Sequence, residues 1–307
     1  MVSSKVILRV PGAFDREILF GIAEDVLGRL FTNCVSAGTL TPMQMRRGTN
    51  FPTHILYADD VLVFCHATVN NARTIQKILD YYGQISDQIV SQDKSQIFFT
   101  NKVPIQTCRA IRNFLRFPQG NFPINYLGVP IFKGRVRASY LRPIQDRVIN
   151  KFARWKGLHL SMAGRLCLIR SVIQSSLTHA MMVYRWPTAL IKELDACCRN
   201  FLWTGNIKQV SSCSVSWNRV CSIKEEGGLG VRSFELMNKS YLMKMAWKVV
   251  CGCDFGYDLI RDRYLDCFGR RKPLVAASTI WMGLREEIDG LVADSYSHIG
   301  DGVSTSF

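Results

Sequence analysis

The alternation of apolar and polar residues predicts two kinds of secondary structure along the chain. Two short apolar runs, residues 54–58 and 61–65, flank an acidic pair and are typical of buried strands joined by a tight turn. Apolar residues at helical spacing predict helices over residues 18–31 and 72–82, and a third strand follows over residues 95–100. The second half of the chain is almost entirely helical in pattern. We therefore predict an α+β fold, in which helices pack on an antiparallel sheet and a mostly helical region follows.

The change of pattern near residue 135 predicts two domains, residues 1–135 and 136–307. The chain has 307 residues, 48% of them hydrophobic, which is typical of a globular protein. No run reaches the roughly 18 uninterrupted apolar residues of a membrane span, and residues 1–10 lack the features of a signal peptide. We expect an intracellular protein of the nucleus or cytoplasm, not secreted and without a membrane partner. The cysteines show no zinc-binding spacing, so no zinc site is predicted.

The acidic pair at the turn, Asp59 and Asp60, is the first candidate for chemistry. Two adjacent carboxylates repel each other unless a cation lies between them, and oxygen ligands at an open turn suit Mg²⁺. Such a site would serve phosphoryl or nucleotidyl transfer with two metal ions. Asp is also a common turn residue, and the alternative is a solvated hairpin tip without catalytic meaning.

Positive charge is concentrated in residues 130–170, which contain ten Lys or Arg residues against one acid, Asp146, in a chain whose net charge is +15. Aromatic residues are interleaved with these cations, and this favours nucleic acid as the partner. The alternative is a solvated helix face that keeps the protein soluble. The candidate nucleic-acid-binding residues are Lys133, Arg135, Arg137, Arg142, Arg147, Lys151 and Arg154.

Several motifs occur in an order that resembles one family of polymerases. Residues 57–60, Tyr-Ala-Asp-Asp, resemble the Tyr/Phe-x-Asp-Asp box of reverse transcriptases, and the wider spelling resembles the non-LTR (LINE-type) retrotransposon enzymes of plants. The similarity continues in residues 20–27 before this box and in five segments after it. Those five segments are residues 94–99, 126–130, 134–135, 155–165 and 227–231.

The resemblance implies a partial right-hand polymerase palm followed by a helical thumb and connection. It implies that Asp59 and Asp60 hold two Mg²⁺ ions while a DNA primer is extended on an RNA template with deoxynucleotides. Tyr57 would pack beneath the primer end or serve as an ordinary strand aromatic, and Lys94 would approach the triphosphate or remain a plain surface lysine. The hairpin with Tyr126 and Gly128 would grip the primer end. The basic residues would track the phosphates of the RNA–DNA hybrid.

The sequence departs from this family before the acidic hairpin. A working palm has a third carboxylate on a separate strand, and only 58 residues precede Asp59, too few for that strand and the fingers. Asp15 resembles the missing position locally but directly precedes the next predicted helix. We therefore expect a truncated or degenerate copy. Two functions remain open: an RNA-directed DNA polymerase domain, or a catalytically inactive remnant that binds nucleic acid.

Overall fold

The computed structural model describes residues 5–10, 20–43, 51–58, 60–86, 90–154, 157–210, 213, 215–252, 254–266, 269–273 and 278–295. The fold is α+β, as predicted, with antiparallel strands and a majority of helices. The chain forms two compact units, Met1–Asn121 and Phe122–Phe307.

The described residues of unit 1 form a four-stranded sheet and three helices. Its elements are β1 (Lys5–Val10), α1 (Phe20–Ser36), β2 (His54–Tyr57), β3 (Asp60–His66), α2 (Val69–Ser86), β4 (Gln96–Phe99) and α3 (Ile105–Leu115). The strand order is β2-β3-β1-β4, and every neighbouring pair is antiparallel. The strand β1 was not predicted from the sequence, and it lies between the acidic hairpin and β4.

The two faces of this sheet have different surroundings. Val61, Val63 and Cys65 alternate along β3 with residues of the other face, and they pack in one core with α1 and α2. Leu27 of α1 and Ile75 of α2 belong to that core and are almost completely buried. All three helices contribute to the core on this side of the sheet. The opposite face carries the side chains at positions 60, 62 and 64 of β3.

One buried asparagine fixes the end of β3. The side-chain oxygen of Asn71 accepts a hydrogen bond from Thr41 N at 3.0 Å. Its amide nitrogen donates to Thr41 O at 3.1 Å and to His66 O at 2.9 Å. These three hydrogen bonds join the start of α2 to the last residue of β3 and to the segment after α1.

Unit 2 begins with a hairpin and continues as helices. Its elements are β5 (Ile124–Tyr126), β6 (Val129–Ile131), α4 (Ala138–Arg154), α5 (Met162–Leu168), α6 (Gln174–Val183), α7 (Thr188–Thr204), α8 (Trp217–Val220), α9 (Phe234–Cys251), α10 (Phe255–Tyr264) and α11 (Thr279–Asp294). A π-helical segment, Ile169–Ile173, joins α5 to α6, and short 3-10 turns occupy Gly157–His159 and Lys224–Glu226.

The hairpin β5–β6 belongs to unit 2. Val129 and Phe132 pack in the same core as Leu141 of α4, and the ring of Phe132 lies 4.8 Å from that of Tyr184. The hydroxyl of Tyr184 donates a hydrogen bond to Pro130 O at 2.9 Å. The compact units therefore divide before this hairpin, whereas the sequence pattern changes after it, near residue 135.

A second core of unit 2 lies among its last helices. Leu242 and Val249 of α9 pack there with Leu284 of α11. The rings of Tyr264 and Trp281 stack with their centroids 4.3 Å apart. This core fixes α10 and α11 on α9.

A second buried asparagine plays the role in unit 2 that Asn71 plays in unit 1. Asn238 of α9 accepts a hydrogen bond from Trp186 N at 2.9 Å. Its amide nitrogen donates to Met181 O at 2.7 Å and to Tyr184 O at 2.8 Å. It thereby holds the reversal of the chain between α6 and α7 against α9.

One helical stretch, Met162–Val183, is long and apolar enough to cross a membrane by length and composition alone. Core helices of soluble proteins can have the same length and composition. In unit 2 its residues Ile169, Ile173, Leu177 and Met181 are fully buried in the protein core. That position accounts for their apolar character.

Candidate functional site

The acidic hairpin is a tight two-residue turn. Tyr57 pairs with Asp60 across the strands, so only Ala58 and Asp59 form the connection. Ala58 has φ of 48°, the left-handed conformation that two-residue hairpin turns require and that alanine adopts at a cost of about 1–3 kcal/mol. Asp59, the first predicted metal ligand, lies outside the described residues. The predicted hairpin is present, with a strained residue at its tip.

Tyr57 and Asp60 occupy the face of the sheet opposite the helices. Val61 belongs to the core that packs on the helices, and Asp60, one residue earlier in the strand, therefore faces the opposite side of the sheet. Tyr57 pairs with Asp60 across the strands, so its side chain lies on that same side. The side chain of Tyr57 is 58% exposed, and Asp60 is half-buried. An aromatic surface and a carboxylate therefore lie side by side at the start of β3.

Lys94 lies at the same end of the sheet as Asp60. Leu62 of β3 pairs with Arg9 of β1, and Arg9 pairs in turn with Gln96 of β4. Asp60 lies two residues before Leu62, and Lys94 lies two residues before Gln96. Because β1 lies between β3 and β4, these two strands are two strand spacings of about 4.8 Å apart. Lys94 is exposed in the turn before β4. The structure thus brings these two predicted residues to one edge of the unit.

The strand between them carries no acid. The sequence of β1 is Lys-Val-Ile-Leu-Arg-Val, and this strand is hydrogen-bonded to β3 along its whole length. The sequence leaves too few residues before the hairpin for the fingers together with a carboxylate-bearing strand, and the strand that residues 5–10 supply beside the hairpin is not of that kind. That strand brings no carboxylate to the hairpin, and Asp15 lies outside the described residues.

The described residues do not by themselves fit the two-magnesium site that the resemblance implies. Asp60 offers one carboxylate at the turn, and β1 offers none. Across the described ranges, no three His, Cys, Asp or Glu residues are grouped so that they could hold a metal ion.

Tyr126 and Gly128 lie on a second tight hairpin, in unit 2. Tyr126 pairs with Val129, so Leu127 and Gly128 form the turn, with φ of 49° and 79°. Both values lie in the left-handed region, where glycine is favoured and leucine is rare. Gly128 is exposed, and Tyr126 is half-buried. The turn is held rigidly because Val129 is buried in the core of unit 2.

The predicted basic residues after this hairpin are mostly exposed. Lys133, Arg135 and Arg137 follow β6 in an exposed loop. The ammonium of Lys133 lies 4.3 Å from the centroid of the Phe122 ring, and partial burial lowers the pKa of Lys133. The charge of this loop is therefore directed largely to solvent.

The basic residues of α4 do not form a single stripe. Arg142 lies about 140° around the helix from Arg147 and about 180° from Lys151, at 100° per residue. On one flank, Arg142 forms a two-bond ion pair with Glu193 of α7, at 2.9 and 3.1 Å. On the other flank, Lys151 donates to Ser176 Oγ at 2.9 Å. Arg154 is the last residue of α4.

The ion pair with Glu193 was not predicted, since no sequence signal links residues 51 positions apart. The guanidinium of Arg142 lowers the pKa of Glu193, and a hydrogen bond from Gln145 at 2.9 Å acts in the same direction. Arg142 is thus partly neutralised within the protein. Among the predicted nucleic-acid-binding residues it is the one whose charge is engaged by a described carboxylate.

Arg165 has a structural role, although it counts among the ten cations of residues 130–170. Its guanidinium donates to Gly157 O at 2.9 Å and to Leu202 O and Trp203 O, each at 3.2 Å. The last two carbonyls end α7 and lack helical partners, so Arg165 caps that helix. The side chain of Ser161 caps the start of α5. The motif over residues 155–165 is thus explained in part by helix capping.

Comparison with known proteins gives two plant relatives that each match a part of this chain. A protein of Arabidopsis thaliana provisionally named a ribonuclease H protein is 34% identical over 122 residues, which are 40% of this chain and 20% of that protein. An uncharacterized mitochondrial protein of Arabidopsis thaliana is 27% identical over 135 residues, 41% of this chain and 85% of that protein. No protein-family model matches the sequence. The chain is therefore similar to parts of plant proteins, and it spans one fifth of the length of the ribonuclease H relative.

Proposed function

We propose that this chain is a nucleic-acid-binding part of a plant retroelement polymerase of the reverse transcriptase type. One observation carries the proposal: the basic residues around α4 reach solvent without carboxylate partners in the described part of the chain, Arg142 excepted. These unpaired cations are Lys133, Arg135, Arg137, Arg147 and Lys151. Unpaired cations at this density attract a polyanion.

Two further observations support the same class of function. The motifs from residue 57 to residue 231 occur in the order found in reverse transcriptases of LINE-type retroelements. One plant relative carries the name ribonuclease H, which denotes an activity on nucleic acid. The ligand that we propose is the hybrid of an RNA template and a DNA primer, held mainly through its phosphates.

Binding is tested with a fluorescently labelled RNA–DNA hybrid, whose anisotropy is followed against protein concentration at several salt concentrations. We expect the logarithm of the binding constant to fall steeply with the logarithm of salt, by about 0.9 per phosphate contact. Replacing Arg135, Arg137 and Arg147 together by Gln should reduce that slope by two to three units, on the order of 0.9 per contact. Arg109→Gln, at an exposed position of α3, is the matched control and should keep the slope.

Two results would count against the proposal. Wild-type protein that does not bind the hybrid, or binds it with an affinity independent of salt, cannot be a phosphate-tracking protein. Equal slopes for the triple variant and Arg109→Gln would show that α4 and its preceding loop do not carry the contact.

Primer extension is a second candidate function, favoured by the shared face of Tyr57 and Asp60 and by Lys94 at the same end of the sheet. It requires a further carboxylate, because β1 supplies none. The test is incubation of the chain with primed RNA, Mg²⁺ and deoxynucleotides. Extension that Asp59→Asn abolishes would establish the activity, and no extension above that variant would reject it without affecting the binding proposal.

A further inference from the structure

A long trough lies on the surface of unit 2, and residues of the two motifs at 155–165 and 227–231 form part of its lining. It has a volume of about 580 Å³. One wall is the helical stretch Met162–Val183, from Ala163 to Thr178, which corresponds to about 22 Å at 1.5 Å per residue. The other wall consists of Gly230 and Arg232 and of Met237 and Tyr241 from α9. The trough is therefore elongated along the helix.

The π-helical segment keeps the first wall straight. In an α-helix, a side chain four residues further along points about 40° further around the helix axis. A π-helical turn contains an extra residue, which offsets much of this rotation. Cys167, Ser171 and Ser175 therefore line the same trough, although they lie before, in and after the π segment Ile169–Ile173.

The serines of this wall offer few donors to a ligand. Ser171 Oγ donates to Cys167 O at 2.7 Å, and Ser175 Oγ donates to Ser171 O at 2.6 Å. Thr178 Oγ1 lies 3.1 Å from Gln174 O and 3.2 Å from Tyr241 Oη. With these hydroxyls engaged inside the protein, the wall is smooth and provides no pattern of donors for reading bases.

The charge of the trough comes from two arginines. Arg170 lies on the π segment and Arg232 on the opposite wall, and both are exposed. Neither forms an ion pair with the residues that the structure describes. None of the residues lining the trough is acidic. The sequence has no Asp or Glu at all between Asp146 and Glu193, which includes the whole first wall.

We propose that this trough binds the phosphodiester backbone of a single-stranded polynucleotide, through Arg170 and Arg232 and without sequence preference. The elongated shape fits a linear polyanion better than a single nucleotide. The side chain of Tyr241, half-buried and fixed through its hydroxyl, gives the wall an aromatic surface on which a base can stack. This inference rests on the proposed function, since it places part of the nucleic acid on unit 2.

The test uses the full chain and fluorescein-labelled single strands of DNA and of RNA, measured by anisotropy at several salt concentrations. Arg170→Gln and Arg232→Gln should each reduce the salt slope by about 0.7, the value for one phosphate of a single strand, and the double variant by about 1.4. Ser175→Trp fills the trough without changing its charge and should weaken binding of both strands. Arg199→Gln, at an exposed position of α7, is the control and should leave the slope unchanged.

The outcomes separate this inference from the proposed function. If the wild-type chain binds no nucleic acid, both fail. If it binds, and the double variant and Ser175→Trp match Arg199→Gln, only the trough is refuted. A mononucleotide triphosphate that displaces the labelled strand at equal phosphate concentration would also overturn the inference, because the site would then be a nucleotide pocket. Far-UV circular dichroism confirms that each variant is folded.

Discussion

Asn238 gives the sharpest test of how unit 2 is held together. Its side chain is 3% exposed and makes three hydrogen bonds to the main chain, one to Trp186 N and two to Met181 O and Tyr184 O. Replacing it by Leu keeps the approximate volume and removes both polar groups. The three main-chain groups, whose hydrogen bonds to Asn238 are buried, then lose these partners.

The magnitude follows from these three groups. A buried main-chain group that loses its partner costs about 1–3 kcal/mol, and the added apolar surface of Leu returns about 1 kcal/mol. We expect Asn238→Leu to lower the free energy of unfolding of unit 2 by about 2–8 kcal/mol, a large part of the 5–15 kcal/mol of a typical domain. With an m-value of about 2 kcal/mol per molar urea, the midpoint should fall by about 1–4 M.

Tryptophan fluorescence during urea unfolding measures this change in unit 2 alone. All six tryptophans of the chain, from Trp155 to Trp281, belong to unit 2. Asn150→Leu, at an exposed position of α4, makes the same chemical change where no buried main-chain group depends on it, and it should unfold as the wild type does. If Asn238→Leu costs less than about 1 kcal/mol, water or a shifted main chain must satisfy the three groups, and our reasoning is refuted.

Three further predictions concern single side chains. Burial lowers the pKa of His54 from its ordinary 6.5, so the folded state binds fewer protons than the unfolded state. The stability of the protein should therefore be full above pH 6.5 and decline below it. NMR titration of the His54 ring should show the lowered pKa. Arg142→Gln should raise the pKa of Glu193 toward its ordinary 4.5, measured by NMR of the carboxyl carbon, and an unchanged pKa would contradict the ion pair. Gly228→Ala would place a methyl group against the main-chain oxygen of Ser222 and should cost about 1–3 kcal/mol in urea unfolding. Gly256→Ala, with open space around it, should cost nothing, and equal midpoints for the two variants would contradict the close approach.

The sequence predicted a mostly helical second part of the chain, and unit 2 has this character. The pattern is clear in α7 and α9, which start directly after Pro187 and Ser233. The π segment was not predicted, since a single wide turn leaves no signature in the apolar pattern. Arg165 was one of the ten cations counted in residues 130–170, and its hydrogen bonds to the end of α7 depend on a tertiary contact that composition cannot reveal.

In unit 1 the sequence predicted the acidic hairpin and missed its neighbour. Residues 5–10 were compared only with the features of a signal peptide, because an isolated apolar run does not indicate which strand it would pair with. The helix predicted over residues 72–82 starts earlier than expected: α2 begins at Val69, and the hydroxyl of Thr68 accepts a hydrogen bond from Asn71 N at 3.2 Å. The Asn71 side chain is buried and bonds to the main chain of other elements, a pairing of sites 30 residues apart that local capping rules cannot predict.

The central place of β1 has a practical consequence for producing this protein. The strand is hydrogen-bonded on both sides. On one side it pairs with β3, where Lys5 lies opposite His66, and on the other with β4, where Val6 lies opposite Phe99. Deleting residues 5–10 would split the sheet into a two-stranded ribbon and a lone strand, with two newly opened hydrogen-bonding edges. An expression design that trims or sterically crowds these six residues would therefore yield insoluble protein, whereas a tag attached elsewhere would not.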